Sequence, residues 1–570
     1  MKLIIREYLA SLRERGELDA LLPDLLSQMG LVVFSKPGIG GRQYGVDVAA
    51  YGSIDNEPEK VYLFSIKSGD LGRKDWNSGS PQDLQPSLDE IRDTYIPMHL
   101  PVEYKDKPVE ICICFGGEMK EEIRLNVSSY QKKYQTEHLA FSEWGGEKLS
   151  IYIEQFFLRE ELLPKSCRGI LRKSLSMIDE PDISFKHYSK LINLLSSCDV
   201  QNAEETLTSI RQLNICLWIL YSWCREADNL ESAYLSSERT LLFAWSISKG
   251  YFEKKDKTSK AIQESFINII LLKIQIGNAF LEKILPHVDK LYAISNAVSP
   301  SSSIDVNLKL FDILGRLALE GLWLHWYYTR LEAIDKDNKV TQEILQKMQR
   351  YRVSLKQLIT NNPILFSPYK DEQAIDINLA AFFFALDLTS HDDLHRWLQF
   401  MVEHIHFLFY TDSCYPCNLH TYHELLDHPR STEEYKEEVT KGSILYPIIA
   451  TYAALFGFDD VYEEIQKLKS KFLEHCNFQI WYPDETSERH FYKYGDNHGG
   501  TLSHVGVGQP QDIFLEEIFK ECYESEHFNQ LSAIQYQTWP IILTACRHYS
   551  FPIPLHFLSG FRADTNINDN

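Results

Sequence analysis

The stretch that decides the fold is VYLFSIKSG, residues 61–69, read beside GVDVAAYG, residues 45–52. In a strand, alternate side chains share a face, so Leu63, Ser65 and Lys67 point one way and Tyr62, Phe64 and Ile66 the other. By the same alternation Asp47 projects away from Val46 and Val48, so one polar face can carry Asp47, Ser65 and Lys67 together. A lysine ending an apolar strand is costly to bury unless charge compensates it, and an aspartate on the neighbouring strand does so. A satisfied ion pair is the plain structural alternative to a catalytic role.

Working outward, helical and strand periods alternate through about residue 165. Leu18, Leu21, Leu22, Leu25 and Leu26 recur at helical spacing up to Gly30, a helix stop. Strand-like LVVF begins at Leu31, EICICF spans 110–115, and HLAFSEW spans 138–144. A helix is expected from Glu121 and another from Glu147 through Phe157. The order α, three strands, α, β, α, β, α predicts a mixed sheet flanked by helices.

Residues 166–182 lose the strand signal and include Pro181, which reads as a linker. From 183 to 561 the chain reads as one all-α region, an irregular solenoid or packed bundles, with no repeat of fixed length. Residues 487–511, rich in Gly, His and polar groups, read as a long loop, with His490, His498 and His504 solvated. Residues 562–570 read as a frayed tail.

The chain has 570 residues, 44% of them hydrophobic, and a net charge of 58 − 80 = −22. Its first 165 residues carry 20 basic and 27 acidic groups, close to −7, so coating of nucleic acid by a broad basic surface is excluded. Any DNA contact is local, with Lys36, Arg42, Arg73 and Lys74 as the candidate cleft and Trp76 as a base-stacking residue. Eleven cysteines without regular spacing fit reduced thiols, and the charged opening MKLIIREYLASLRERGELD does not read as a secretory leader, so a cytoplasmic location is expected. The longest apolar stretch noted, Ile444–Phe458, is 15 residues long and contains Pro447, short of the roughly 20 residues of a membrane helix. No membrane span is expected. Cys414, Cys417, His420 and His423, in CYPCNLHTYH, form a zinc-like pattern tighter than the usual finger spacing.

Four segments, ELDALLPDLLSQMG (17–30), GVDVAAYG (45–52), FSIKSG (64–69) and FSEWGGEKLSIYIEQFF (141–157), stand in the order that resembles the Mrr-type branch of the restriction-endonuclease-like PD-(D/E)xK nucleases. The resemblance covers residues 10–160 and none of the helical region. It implies a restriction-endonuclease-like α/β domain over residues 1–165 that hydrolyses phosphodiester bonds in DNA, leaving a 5′-phosphate, with Mg2+, or Mn2+ in its place, as cofactor.

Carried over by residue, Asp47 matches the metal-binding aspartate, Lys67 the lysine that orients or activates water, and Asp19 the helix-borne acid, with Glu17 in reserve. Asp47 and the backbone carbonyl of Ile66 would hold the metal, with water between it and Asp19. Ser65 stands where the family carries Glu, Asp or Gln, and Asp70 is the candidate for a displaced carboxylate. Pro23 falls inside the acid-bearing helix, where it clashes with the carbonyl of Asp19. The functional expectation is a restriction or antiphage effector, homo-oligomeric, and regulated through its helical region or by a partner ATPase or sensor on another chain, because no Walker motif is present. The other class is a catalytically inactive nuclease fold that binds nucleic acid or scaffolds.

Overall fold

A computed structural model describes residues 5, 6, 9, 10, 12, 14–35, 44–55, 57–157, 165–298, 302–336, 338–430, 432–493 and 495–562. The chain divides into two compact units, residues 1–240 with 250–269, and residues 241–249 with 270–570.

The first unit is built on a five-stranded sheet of β1 (Val32–Ser35), β2 (Val48–Gly52), β3 (Lys60–Lys67), β4 (Val109–Phe115) and β5 (Leu139–Trp144), hydrogen-bonded in that order. The β1–β2 and β2–β3 pairs are antiparallel, and β3–β4 and β4–β5 are parallel. The register sets Val48 against Phe64 and Lys67 against Phe115. Parallel strands are covered on both faces, and β3 is accordingly buried from Val61 to Ile66. Leu63, Ile111 and Ile113 pack into one core with Leu84 and Leu88 of α2 (Leu84–Glu90) and with Ile123 and Val127 of α3 (Glu121–Tyr134).

Ahead of the sheet lies α1 (Asp19–Gln28), with Leu21, Leu22, Leu25 and Leu26 buried and Pro23 inside it. Proline offers no N–H to the Asp19 carbonyl, and the helix is preceded by a π-turn over Glu14–Leu18. After β5 comes α4 (Gly146–Tyr152), continued by a π-turn over Ile153–Phe157. The element order is the one the periodicity predicts.

The segment expected to be a linker is instead largely helix α5 (Lys165–Ser176), which packs against α6 (Pro181–Leu195). Its amphipathic spacing outweighs the flanking Pro164 and Pro181, the latter serving as an N-terminal helix residue. Helix α7 (Ala203–Glu226) follows, so the first compact unit runs well past the sheet.

The second unit is mainly helical, centred on α8 (Ser303–Glu332), which packs against α9 (Lys339–Asn361) and α10 (Ala374–Ala385). The all-α expectation is corrected here by a three-stranded sheet of β6 (Gly442–Ser443), β7 (Asn477–Tyr482) and β8 (Gly500–Ser503). The expected 487–511 loop contains β8 and a helix, Ser487–Lys493. Of these strands, the two-residue β6 and four-residue β8 leave too short a period to be read from sequence.

One helical stretch, Lys257–His287, is long and apolar enough to cross a membrane, and 61% of its apolar window is buried inside the protein. Of the apolar stretch Ile444–Phe458, residues Leu445–Phe456 form a shorter helix.

Candidate active site

The site lies where β2 begins and β3 ends. Its geometry starts at Gly45, whose φ of +79° is a left-handed conformation that a side chain disfavours. A Cβ there would also stand 2.2 Å from the Ser87 carbonyl oxygen of α2. This glycine lets the chain turn into β2 against α2 and brings Asp47 beside β3. The Asp47 backbone N–H donates to the Phe64 carbonyl at 2.8 Å, and its Oδ2 accepts from the Ile66 N–H at 2.7 Å.

Burial pushes the Asp47 carboxyl up to about 6, against the lowering effect of the Ile66 N–H and the Lys67 charge, while the charges of Glu14 and Asp19 push it further up. Three carboxyl groups and one ammonium therefore share a field. Lys67 is 12% exposed at its side chain, and its Nζ stands 3.9 Å from Glu14 Oε1. The structure thus sets Glu14, which the sequence reading missed, beside Lys67, with Asp19 near enough for its charge to bear on Asp47. The signal for Glu14 is the acidic run ERGELD, residues 14–19: in a widened π-turn residues five apart come to one side, whereas the resemblance singles out Asp19, with Glu17 in reserve.

Glu17 points elsewhere. It is 3% exposed, and its Oε1 lies 3.4 Å from Arg225 Nη1 of α7. Asp70 does not curl back towards Lys67, since its Oδ1 accepts from the Glu118 N–H at 2.9 Å and ties the β3 exit to the β4 exit. Ser65 is fully buried, and its hydroxyl has no hydrogen-bond partner among the described residues.

Arg73 and Lys74 are exposed on a short helical turn, Arg73–Trp76. Trp76 is 8% exposed and set edge-on to Tyr130 at 5.8 Å, so it is a core residue and not a base-stacking one. Lys36 and Arg42 lie outside the described residues.

Among the described residues no group of three or more His, Cys, Asp or Glu side chains converges at metal-ligating spacing. The donor types at this site nevertheless suit a hard cation, because Mg2+ keeps several waters and takes only one or two carboxylates. Asp47 with Asp19 or Glu14, and the Ile66 carbonyl at the same strand end, are the residues that would hold it.

The zinc-like pattern in the helical region has other partners. Cys414 Sγ donates to the His428 carbonyl at 3.4 Å and Cys417 Sγ to the Tyr369 carbonyl at 3.2 Å. All eleven cysteines are free thiols. His498, expected in a solvated loop, packs instead against Phe551 at 4.5 Å, with Nδ1 2.8 Å from Ser487 Oγ. Burial and the neighbouring His490 push it down to about 4.

Compared with protein-family models, with curated proteins and with solved structures, the chain matches none.

Proposed function

We propose that the sheet-bearing part of the first unit is a metal-dependent endodeoxyribonuclease of the PD-(D/E)xK type, acting as a cytoplasmic restriction or antiphage effector. The observation that carries this reading is the joining of Asp47, Lys67, Glu14 and Asp19 at one end of the β2–β3 pair, with Asp47 braced by the Ile66 N–H. A bound Mg2+, or Mn2+, would supply positive charge at the scissile phosphate and lower the pKa of a bound water. Asp47, with Asp19 or Glu14, would hold that charge in place. Lys67 sets its ammonium beside the phosphate and favours the charge that builds on it during in-line attack. Hydrolysis adds water at phosphorus and expels the 3′ oxygen, leaving a 5′-phosphate. Arg73 and Lys74, exposed just beyond Lys67, reach for the DNA backbone.

The helical region is proposed to gate the nuclease through homo-oligomer formation or through a partner ATPase or sensor. Light scattering on the full chain tests the first, and a strictly monomeric result removes it.

A second reading, a catalytically inactive fold that binds nucleic acid or scaffolds, is favoured by Ser65, whose buried neutral hydroxyl replaces the family's second ligand. Incubation of plasmid and linear DNA with Mg2+ or Mn2+ separates the two. The nuclease reading expects cleavage by wild type and none by Asp47→Ala or Lys67→Ala. Equal cutting by all three removes it, and DNA binding without cutting under either metal supports the inactive fold.

A further inference from the structure

Glu14 and Asp19 stand three positions before and two positions after Glu17, so whatever fixes Glu17 also fixes them. Glu17, 3% exposed, takes an inward place in the π-turn Glu14–Leu18, beside the fully buried Leu18. Burying a carboxylate is costly, and a buried ion pair adds little over apolar side chains of similar volume. Stability alone therefore does not account for an acid at this place.

The partner of Glu17 is held in turn. Arg225 Nη1, on α7, stands 3.4 Å from Glu17 Oε1, and its guanidinium lies over the ring of Tyr221, 5.4 Å from the centre and one turn earlier on the same helix. Tyr221 is buried, so the cation is braced from beneath. The π-turn Ile153–Phe157 packs against both α1 and α7 and closes the joint between them. Farther along α1, Asp24 Oδ2 accepts from Asn268 Nδ2 at 3.2 Å and Gln28 Oε1 from Arg211 Nη1 at 2.6 Å. All of these residues belong to the first compact unit.

Mg2+ demands near-ideal octahedral geometry, so its ligands must be placed to within a fraction of an ångström. The sheet fixes Asp47 through the Ile66 N–H, but Glu14 and Asp19 lie outside the sheet and take their position from the joint with α7. We infer that Arg225 is a positioning residue of the metal site: by holding Glu17 it sets the turn that presents Glu14 and Asp19 to the cation. The inference rests on the nuclease reading and adds that α7, well beyond the sheet, completes the site.

The test uses the full-length protein and Mn2+, whose free aquo ion is counted by electron paramagnetic resonance, at a temperature well below the melting midpoint of every variant. Wild type is expected to bind Mn2+, and Arg225→Ala to bind it about tenfold more weakly, as when a residue that orients a metal ligand is removed. The same shift is expected in the Mn2+ concentration that gives half-maximal DNA cleavage, with the rate recovered at saturating Mn2+. Arg225→Lys, which keeps the charge, and Glu17→Gln, which keeps an acceptor for Arg225, should retain most of the affinity. Arg225→Met, which keeps the apolar stem, takes the place of the alanine variant if that does not fold. Leu191→Ala, a core truncation in α6, lowers stability and should leave the affinity unchanged. Wild-type affinity without the Arg225 guanidinium overturns the inference, as does an equal loss in Leu191→Ala. A wild type that neither binds Mn2+ nor cuts DNA removes the nuclease reading, and the inference with it.

Discussion

Glu17, 3% exposed, meets the half-buried Arg225 at 3.4 Å across 208 residues of chain, so the turn that carries Glu14 and leads into Asp19 is anchored to helix α7 by a charge pair. The anchorage is repeated at the other end of α1, where Arg211 Nη1 donates to Gln28 Oε1 at 2.6 Å. Asn268 adds a third tie, donating from Nδ2 to Asp24 Oδ2 at 3.2 Å. The acid-bearing helix is thus positioned as much by the helices after the sheet as by the sheet itself.

Breaking one partner of such a pair costs more than deleting both, because a desolvated charge loses its compensation. Arg225→Ala is expected to lower stability by about 2 kcal/mol. Adding Glu17→Gln to it should restore part of that loss, with a coupling energy of roughly 1 kcal/mol in a double-mutant cycle. Chemical denaturation of the four proteins measures this, and strictly additive effects would show that the pair is not coupled.

Glu14 and Asp19 differ from Glu17 in what they face. If they help Asp47 hold a cation, Mg2+ should raise the melting temperature of the wild type, since a ligand that binds only the folded state stabilises it by mass action. The rise should shrink in Glu14→Gln and Asp19→Asn and vanish in Asp47→Asn, with Glu17→Gln lowering the baseline but keeping the rise. An equal Mg2+ effect in all four variants would place the cation elsewhere.

The sheet is legible because β3 and β4 are long, mostly apolar runs, and because Ser65 and Lys67 are conspicuous polar residues at the end of β3. Lys67 stands out for that reason, and Asp47 as the one charged residue of GVDVAAYG. Glu14 was missed because its place depends on a π-turn, a local widening that helical periodicity does not encode. Trp76 was misjudged because a polar neighbourhood in sequence, SGDLGRKDWNSGS, says nothing of a tertiary partner such as Tyr130. His498 illustrates the same limit, its burial arising from Phe491 and Phe551, the latter 53 positions away.

Gly45 is the glycine that the turn into β2 requires. Gly45→Ala combines a strained φ of +79° with a Cβ 2.2 Å from a backbone oxygen that cannot swing aside. The expected loss is on the order of 3 kcal/mol. Gly30→Ala is the matched control: its φ is +92°, but nothing lies within 4 Å of the added carbon, so only the backbone term of about 1 kcal/mol remains. Equal losses in the two variants would mean that Ser87 yields and that the close approach does not hold Asp47 in place.

Asp376 gives the second unit a pH dependence of defined sign. Burial pushes its carboxyl up to about 7, against the charges of Arg547 and Arg316 and together with that of Asp312. An acid with a raised folded-state pKa is harder to ionise in the fold than in the unfolded chain, where its pKa is about 3.9. Its contribution therefore favours folding most below pH 4 and is lost progressively as pH rises through about 7. With its side chain one-fifth exposed beside Arg547, the effect is on the order of 2 kcal/mol. Asp376→Asn removes the titrating group, so its stability relative to wild type should improve by that amount between pH 4.5 and pH 8. Denaturation curves across this range decide it, and a difference between the two proteins that stays constant with pH would show that Asp376 ionises as readily in the fold as out of it.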